Sequence, residues 1–415
     1  MRIATATALL LAAPAALAQM DHSKMDHAQH GMDMTGALGS YPMTREASGT
    51  AWQPENAPMA GLHSMVGDWM VMTHGYLDLV YDDQGGPRGD EKLFAPGMFM
   101  LMGTRDAGPG TLGFRAMLSP DPLMGDSGYP LLFQTGETAD GVTHLVDRQH
   151  PHDLFMELAG TYSVPVGKGS VFLYGGLPGE PALGPAAFMH RASGMDIPEA
   201  PLTHHWLDST HITFGVATLG ATLGAWKLEA SGFNGHEPDE KRWNIETRSF
   251  DSAAGRVTFN PASEWSMQAS YGYLAEPEQL EPGVSVHRTT ASVSHTRADG
   301  PSHWSTTLAV GVNHSAGRDQ PGYLLESTRK AGKVAVFGRV EYLRNSELIE
   351  TGPLAGEEFG VAKLSLGGSY DVARVGPLGF AAGALASAYR YDEALEPEYG
   401  SNPVSAMVFV RTSIR

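Results

Sequence analysis

Methionine, histidine and aspartate dominate the stretch "MDHSKMDHAQHGMDM" at residues 20–34. Thioether sulfur is a soft donor suited to Cu(I), imidazole suits Cu(II), Zn and Ni, and carboxylate adds a harder oxygen. A flexible segment carrying all three can take copper in either oxidation state. Cu(I) would bind through Met20, Met25, Met32 and Met34, and Cu(II) through His22, His27 and His30. Ordinary solvated linkers favour Ser, Gly, Glu and Lys instead. The chain has no Cys, which excludes disulfides and thiolate metal sites, and thioethers persist where thiols are oxidised.

Two further groups of donors stand out. Seven of the 17 histidines lie between Gly141 and His211. In "RQHPHD", Pro151 holds the residue before it extended, so His150 and His152 can face the same way as a chelating i,i+2 pair, with Asp153 next. In "PLTHHWLDSTH", His204, His205, Asp208 and His211 stand just before a strand. The bland alternative is that these side chains hydrogen-bond an infolded loop. The other group is Met70 and Met72, which share a strand face with His74. Met98, Met100 and Met102 share a face in "GMFMLMG", where methionine reads as a gap-filling hydrophobe. Catalysis has little support: there is no Gly-x-Ser-x-Gly elbow, His-Glu-x-x-His or phosphate loop. His295 and His314 could face lipid, but no nucleophile stands beside them.

What must position these residues is a β structure. The opening "MRIATATALLLAAPAALA" has one charge at Arg2, an apolar run and small residues at Ala16 and Ala18, the pattern of a secretory signal peptide cleaved after Ala18. No later apolar run is long enough for a membrane helix. The net charge of −18 argues against nucleic acid as a partner and for cations. From about Gly67 the chain alternates. In "WSMQASYGYL", Trp265, Met267, Ala269, Tyr271 and Tyr273 fall on one face and Ser266, Gln268 and Ser270 on the other. "KVAVFGRVEYL" sets Val334, Val336, Val340 and Tyr342 against Lys333, Arg339 and Glu341.

Apolar faces with aromatic ends, on strands of about 10–14 residues, suit a transmembrane barrel better than a soluble sandwich. Seven short links alternate with eight longer ones, among them Ser119–His152, Gly175–Thr210 and Ala316–Pro321. The sequence therefore predicts an all-β, antiparallel transmembrane barrel of the bacterial outer membrane with 14–16 strands. Residues 1–18 are the signal peptide, 19–64 a disordered periplasmic tail and 65–415 the barrel. Sixteen strands usually enclose a water-filled lumen. The last strand, "SAMVFVRTSIR", resembles the one that outer-membrane barrels present to their assembly machinery, although it ends in Arg415 and not in an aromatic.

The tail resembles the Met/His-rich N-terminal tails of the copper-resistance protein B family, over about fifteen residues only. The barrel matches no motif of that family; through "HPHDLFMELAGTY" and "HHWLDSTHITFG" it looks like a family of outer-membrane barrels without an assigned activity. The expectation is a Gram-negative outer-membrane barrel, not an enzyme, with outer-membrane lipid and copper ions as partners and no covalent cofactor. It would act in copper tolerance or trafficking. The alternatives are a small-solute porin with an incidental tail and a lipid-acting barrel enzyme.

Overall fold

A computed structural model describes residues 34–415. Eighteen strands form one continuous sheet, and sixteen of them close the wall. In chain order these are β1 (Trp69–Gln84), β2 (Gly97–Ala107), β3 (Gly110–Leu118), β4 (Phe155–Val166), β5 (Gly169–Gly176), β6 (Val216–Leu223), β7 (Trp226–Phe233) and β8 (Ser252–Phe259). They continue as β9 (Trp265–Leu274), β10 (Val286–Asp299), β11 (Ser302–Ser315), β12 (Arg318–Ala331), β13 (Val334–Asn345), β14 (Phe359–Val375), β15 (Leu378–Tyr391) and β16 (Val404–Ile414). Each pairs antiparallel with the next, and β16 pairs back onto β1 from Tyr76↔Ser413 to Gln84↔Ser405. Two short strands complete the seam along β1. Leu62–Val66 pairs with its start and Glu91–Phe94 with its end. The latter is the outer part of β2, cut off at Ala95-Pro96 because proline has no N–H for the ladder.

The burial pattern is inverted relative to a water-soluble sheet. On β7, Trp226 and Leu228 are exposed while Lys227, Glu229 and Ser231 are buried. On β13, Val334, Val336, Val340 and Tyr342 face out while Arg339 and Glu341 face in. Exposed tryptophans Trp226, Trp265 and Trp304 stand at the short-turn end; Tyr81, Tyr273 and Tyr342 stand toward the long-loop end. An apolar band between two aromatic girdles is what a lipid-facing barrel wall requires.

One expected loop is absent. Ala316–Pro321 is a two-residue turn, Ala316-Gly317, with φ of 50° and 75°. Two left-handed residues make the primed turn that matches strand twist. Arg318–Pro321, read as loop from its charges and proline, therefore belongs to β12.

The interior is not the open lumen that the strand number suggests, because three segments fold into it. Residues 35–61, assigned to the tail from sequence, are packed inside the wall: Leu38, Tyr41, Met43 and Trp52 are buried. The Arg45 guanidinium donates to the Gly224 carbonyl at 3.1 Å, and the Asn56 amide to Ser263 at 3.0 Å, which seats this segment on the short turns. The expected tail boundary at residue 64 therefore does not hold, since packed chain already begins near Thr35. The second insert runs between β3 and β4 and carries an inner hairpin, Tyr129–Thr138 with His144–Gln149. The third runs between β5 and β6 and carries a 3₁₀ turn, Phe188–His190, and a one-turn helix α1, His204–Leu207.

Polar wall residues meet their partners on these inserts. The fully buried Lys363 donates to Glu199 at 2.7 Å, and Glu341 accepts from the Thr203 amide and hydroxyl at 3.0 and 2.9 Å. Buried charges left unpaired would be costly, so wall and inserts depend on each other.

Glycines make room at the closest approach. Gly311 and Gly322 are cross-strand partners, and Trp206 of α1 lies over both. A Cβ at Gly311 would stand 2.1 Å from the Trp206 carbonyl oxygen, and one at Gly322 2.8 Å from its indole. Gly311→Ala should therefore lift α1 from the wall and destabilise the folded barrel by about 1–3 kcal/mol. This is read as a lower temperature of the gel-shift transition and faster protease cleavage within 177–215; an unchanged transition would show that the wedge carries no strain. The inverted wall also predicts that the protein fractionates with outer membranes and migrates heat-modifiably. Recovery in the soluble periplasm would contradict the architecture.

Candidate metal centre

The second and third inserts bring five of the predicted histidines into one cluster. His204 opens α1, and the carboxylate of Asp208, one turn later, accepts from its Nδ1–H at 2.8 Å. The chain turns again at Ser209–His211, where His211 Nδ1–H donates to the Asp208 carbonyl at 2.8 Å. His152 follows the inner hairpin and donates from Nδ1–H to Asp121 at 2.8 Å. One ligand atom from each of His152, His204 and His211 lies within 4.8 Å of the others.

The hydrogen bonds fix the tautomers. Each Nδ1 carries the proton, so each Nε2 presents a lone pair. All three Nε2 atoms are buried and have no hydrogen-bond partner among the described residues. Buried polar atoms are almost always satisfied; three converging acceptors with no donor among them are the arrangement that a cation completes. A carboxylate or carbonyl behind each metal-facing imidazole is also the usual outer support of histidine sites.

Asp208 is itself clamped. Arg191 pairs with it through Nη1 and reaches the wall residue Glu326 through Nε at 2.7 Å. Burial opposes charge on Asp208, but Arg191 and His204 outweigh it and hold the carboxyl well below its usual range. Burial draws His204 down to about 4 and His211 well below the ordinary imidazole value. These rings are therefore neutral, as ligands must be.

His150 and His205 stand beside this trio and not within it. The i,i+2 geometry does not put His150 and His152 on one point: His150 Nε2 approaches Glu137 at 3.1 Å, and its ring lies 5.3 Å from that of His205. Burial lowers His150 strongly. On His205 burial also disfavours charge, but Glu237 reverses the balance and raises it.

Met70, Met72 and His74 share the inward face of β1; Met72 stands opposite Met102 on β2, and the His74 ring lies 5.7 Å from that of His190. Met98, Met100 and Met102 also face inward, packed with Met117, Met156 and Met189. The tail donors Met20, His22, Met25, His27, His30 and Met32 lie outside the described residues, and Met34 is the first residue described. Sequence reasoning missed Asp121, Arg191 and His190. Asp121 lies 31 positions from the histidine it supports, and nothing local marks it.

Without metal, the cluster makes stability depend on pH. An unfolded imidazole takes up its proton near pH 6.5, whereas His204 resists until about 4, and burial also draws His150 and His211 well below the ordinary value. Between those values the unfolded chain binds more protons, so stability is full above about pH 6.5 and falls as pH drops toward 4. His205, raised by Glu237, acts above this window instead, and Glu137 and Asp153, raised by burial to about 7 and about 6, oppose the trend within it. The contribution of His204 is therefore read as a difference: the gel-shift midpoint of the metal-free parent should fall relative to that of His204→Gln as pH drops across this window. Parallel profiles of parent and variant would contradict a buried neutral His204.

No protein-family model matches the chain, and no curated protein matches it. Among solved structures, OmpF of Salmonella typhi, in complex with daunomycin, aligns with a TM-score of 0.52 at 8% identity. The alignment covers 85% of this chain and 100% of that one. An anion-selective porin from Comamonas acidovorans aligns at 14% identity with a TM-score of 0.49, over 83% of this chain and 100% of its own. The likeness is one of fold, the porin-type β-barrel of outer membranes.

Proposed function

We propose that this barrel binds a first-row transition-metal ion, copper foremost, inside its lumen, and that it serves metal tolerance or trafficking at the outer membrane. The observation that carries the reading is the trio His152, His204 and His211, with three buried, unpartnered Nε2 atoms. An all-imidazole set suits Cu, Zn or Ni. The Met/His stretch at 20–34 and the methionines of the lumen favour copper among them. With the short turns in the periplasm, the long loops and the histidine-bearing inserts enter from the outer side.

The test uses the full chain in detergent, titrated with Cu(II) and, separately, Zn(II). The parent should bind one more tight equivalent than His204→Gln/His211→Gln, since the tail is common to both. Asp121→Asn should keep that equivalent but weaken it by about 10–100-fold, because it removes only the support of His152. Equal stoichiometry in parent and double variant would overturn the reading. A deletion strain should be copper-sensitive and recover with the parent gene but not with the double variant.

A second reading, a small-solute porin, is favoured by the porin-type wall. Against free diffusion stand the three inserts that fold into the lumen; two cavities beside them have volumes of about 20 and 30 Å³, room for a water or two. Conductance in planar bilayers separates the readings. A channel as conductive as an open sixteen-stranded porin would favour solute transport.

A further inference from the structure

The lumen holds a second set of donors, of different chemistry. His74 on β1, Met100 on β2 and Met117 on β3 are successive cross-strand partners: His74 pairs with Met100, and Met100 with Met117. Directly opposed side chains on one face stand about 4.5–5.5 Å apart at Cβ. Met100 and Met117 are each 3% exposed, so this row looks inward at the third insert. There the Nε2 of His190 lies 3.4 Å from the Met117 sulfur, and the His190 ring lies 5.7 Å from that of His74. Two imidazoles and two thioethers are therefore neighbours on this stretch of the lumen.

We infer that His74, His190, Met100 and Met117 form a soft metal site for a monovalent d¹⁰ ion, Cu(I) or its mimic Ag(I), next to the imidazole site. This deepens the metal reading and rests on it, but uses none of the same side chains. Thioether with imidazole selects Cu(I) over Zn. A purely packing role would explain methionines, which fill gaps well, but not two half-buried imidazoles among them. The sites are joined by one 3₁₀ turn. The Phe188 ring lies 5.4 Å from that of His204 and 6.2 Å from those of His152 and His211. Two residues on, His190 enters the thioether cluster. The lumen thus offers a harder and a softer site, suited to copper in its two oxidation states.

The full chain in detergent is titrated with Ag(I), and separately with Cu(II), as parent, as Met100→Leu/Met117→Leu and as His204→Gln/His211→Gln. Met→Leu roughly keeps volume and removes only the sulfur. The methionine variant should bind one Ag(I) fewer than the parent with unchanged Cu(II) stoichiometry. The histidine variant should lose one Cu(II) equivalent and keep that Ag(I). His74→Leu should weaken the same Ag(I) by about tenfold or more. Unchanged Ag(I) stoichiometry in the methionine variant overturns the soft site and leaves the imidazole site standing. Joint loss of Ag(I) and Cu(II) in that variant also overturns it, because it signals collapsed packing. Loss of the imidazole site alone, with Ag(I) retained, supports the soft site independently.

Discussion

Asp208 is the residue through which the interior is built. Its carboxylate takes the proton-bearing nitrogen of His204 and the guanidinium of Arg191, while its main-chain carbonyl takes His211. Arg191 extends the connection to the wall through Glu326, which also accepts from Arg339 at 3.2 Å. A wall carboxylate thereby reaches two of the three converging imidazoles through one arginine and one aspartate. Breaking a buried pair costs about 3–5 kcal/mol because the remaining charge is stranded. The geometry of the histidines and the seating of the third insert are therefore the same energetic fact.

The inverted barrel explains why such a network is possible. Lipid takes the apolar face, so every second residue of the wall delivers a polar group to the interior. In an open pore, water would satisfy those groups. Here the inserts supply partners instead, as Glu199 does for Lys363 and Thr203 for Glu341. Excluding water also keeps the imidazoles neutral and lets a few donors dominate their surroundings. A lumen filled in this way is a scaffold for sites; the strand number alone would have suggested a conduit.

The wall was legible because period-two alternation is local: Trp265 to Tyr273 and Val334 to Tyr342 fall on the faces their spacing requires. The misread link at Ala316–Pro321 had charged residues and a proline, yet two left-handed residues sufficed to turn the chain. Local pattern could not show that residues 35–61 pack inside, since their burial depends on wall residues such as Arg115 and Lys227, far along the chain. The histidines were legible as a group by composition, with Asp208 among them in the same short stretch. Which three converge was not legible. It depends on Asp121 and on where the inner hairpin ends, both long-range consequences of the fold.

The account turns on whether a metal ion sits between His152, His204 and His211. Anomalous diffraction from crystals of the full chain soaked with Cu(II), recorded on both sides of the copper edge, addresses this directly. The account predicts an anomalous peak within coordinating distance of the three Nε2 atoms, with Asp121 and Asp208 retaining their bonds to Nδ1. Copper found elsewhere in the crystal, with these three nitrogens still unliganded, would contradict it.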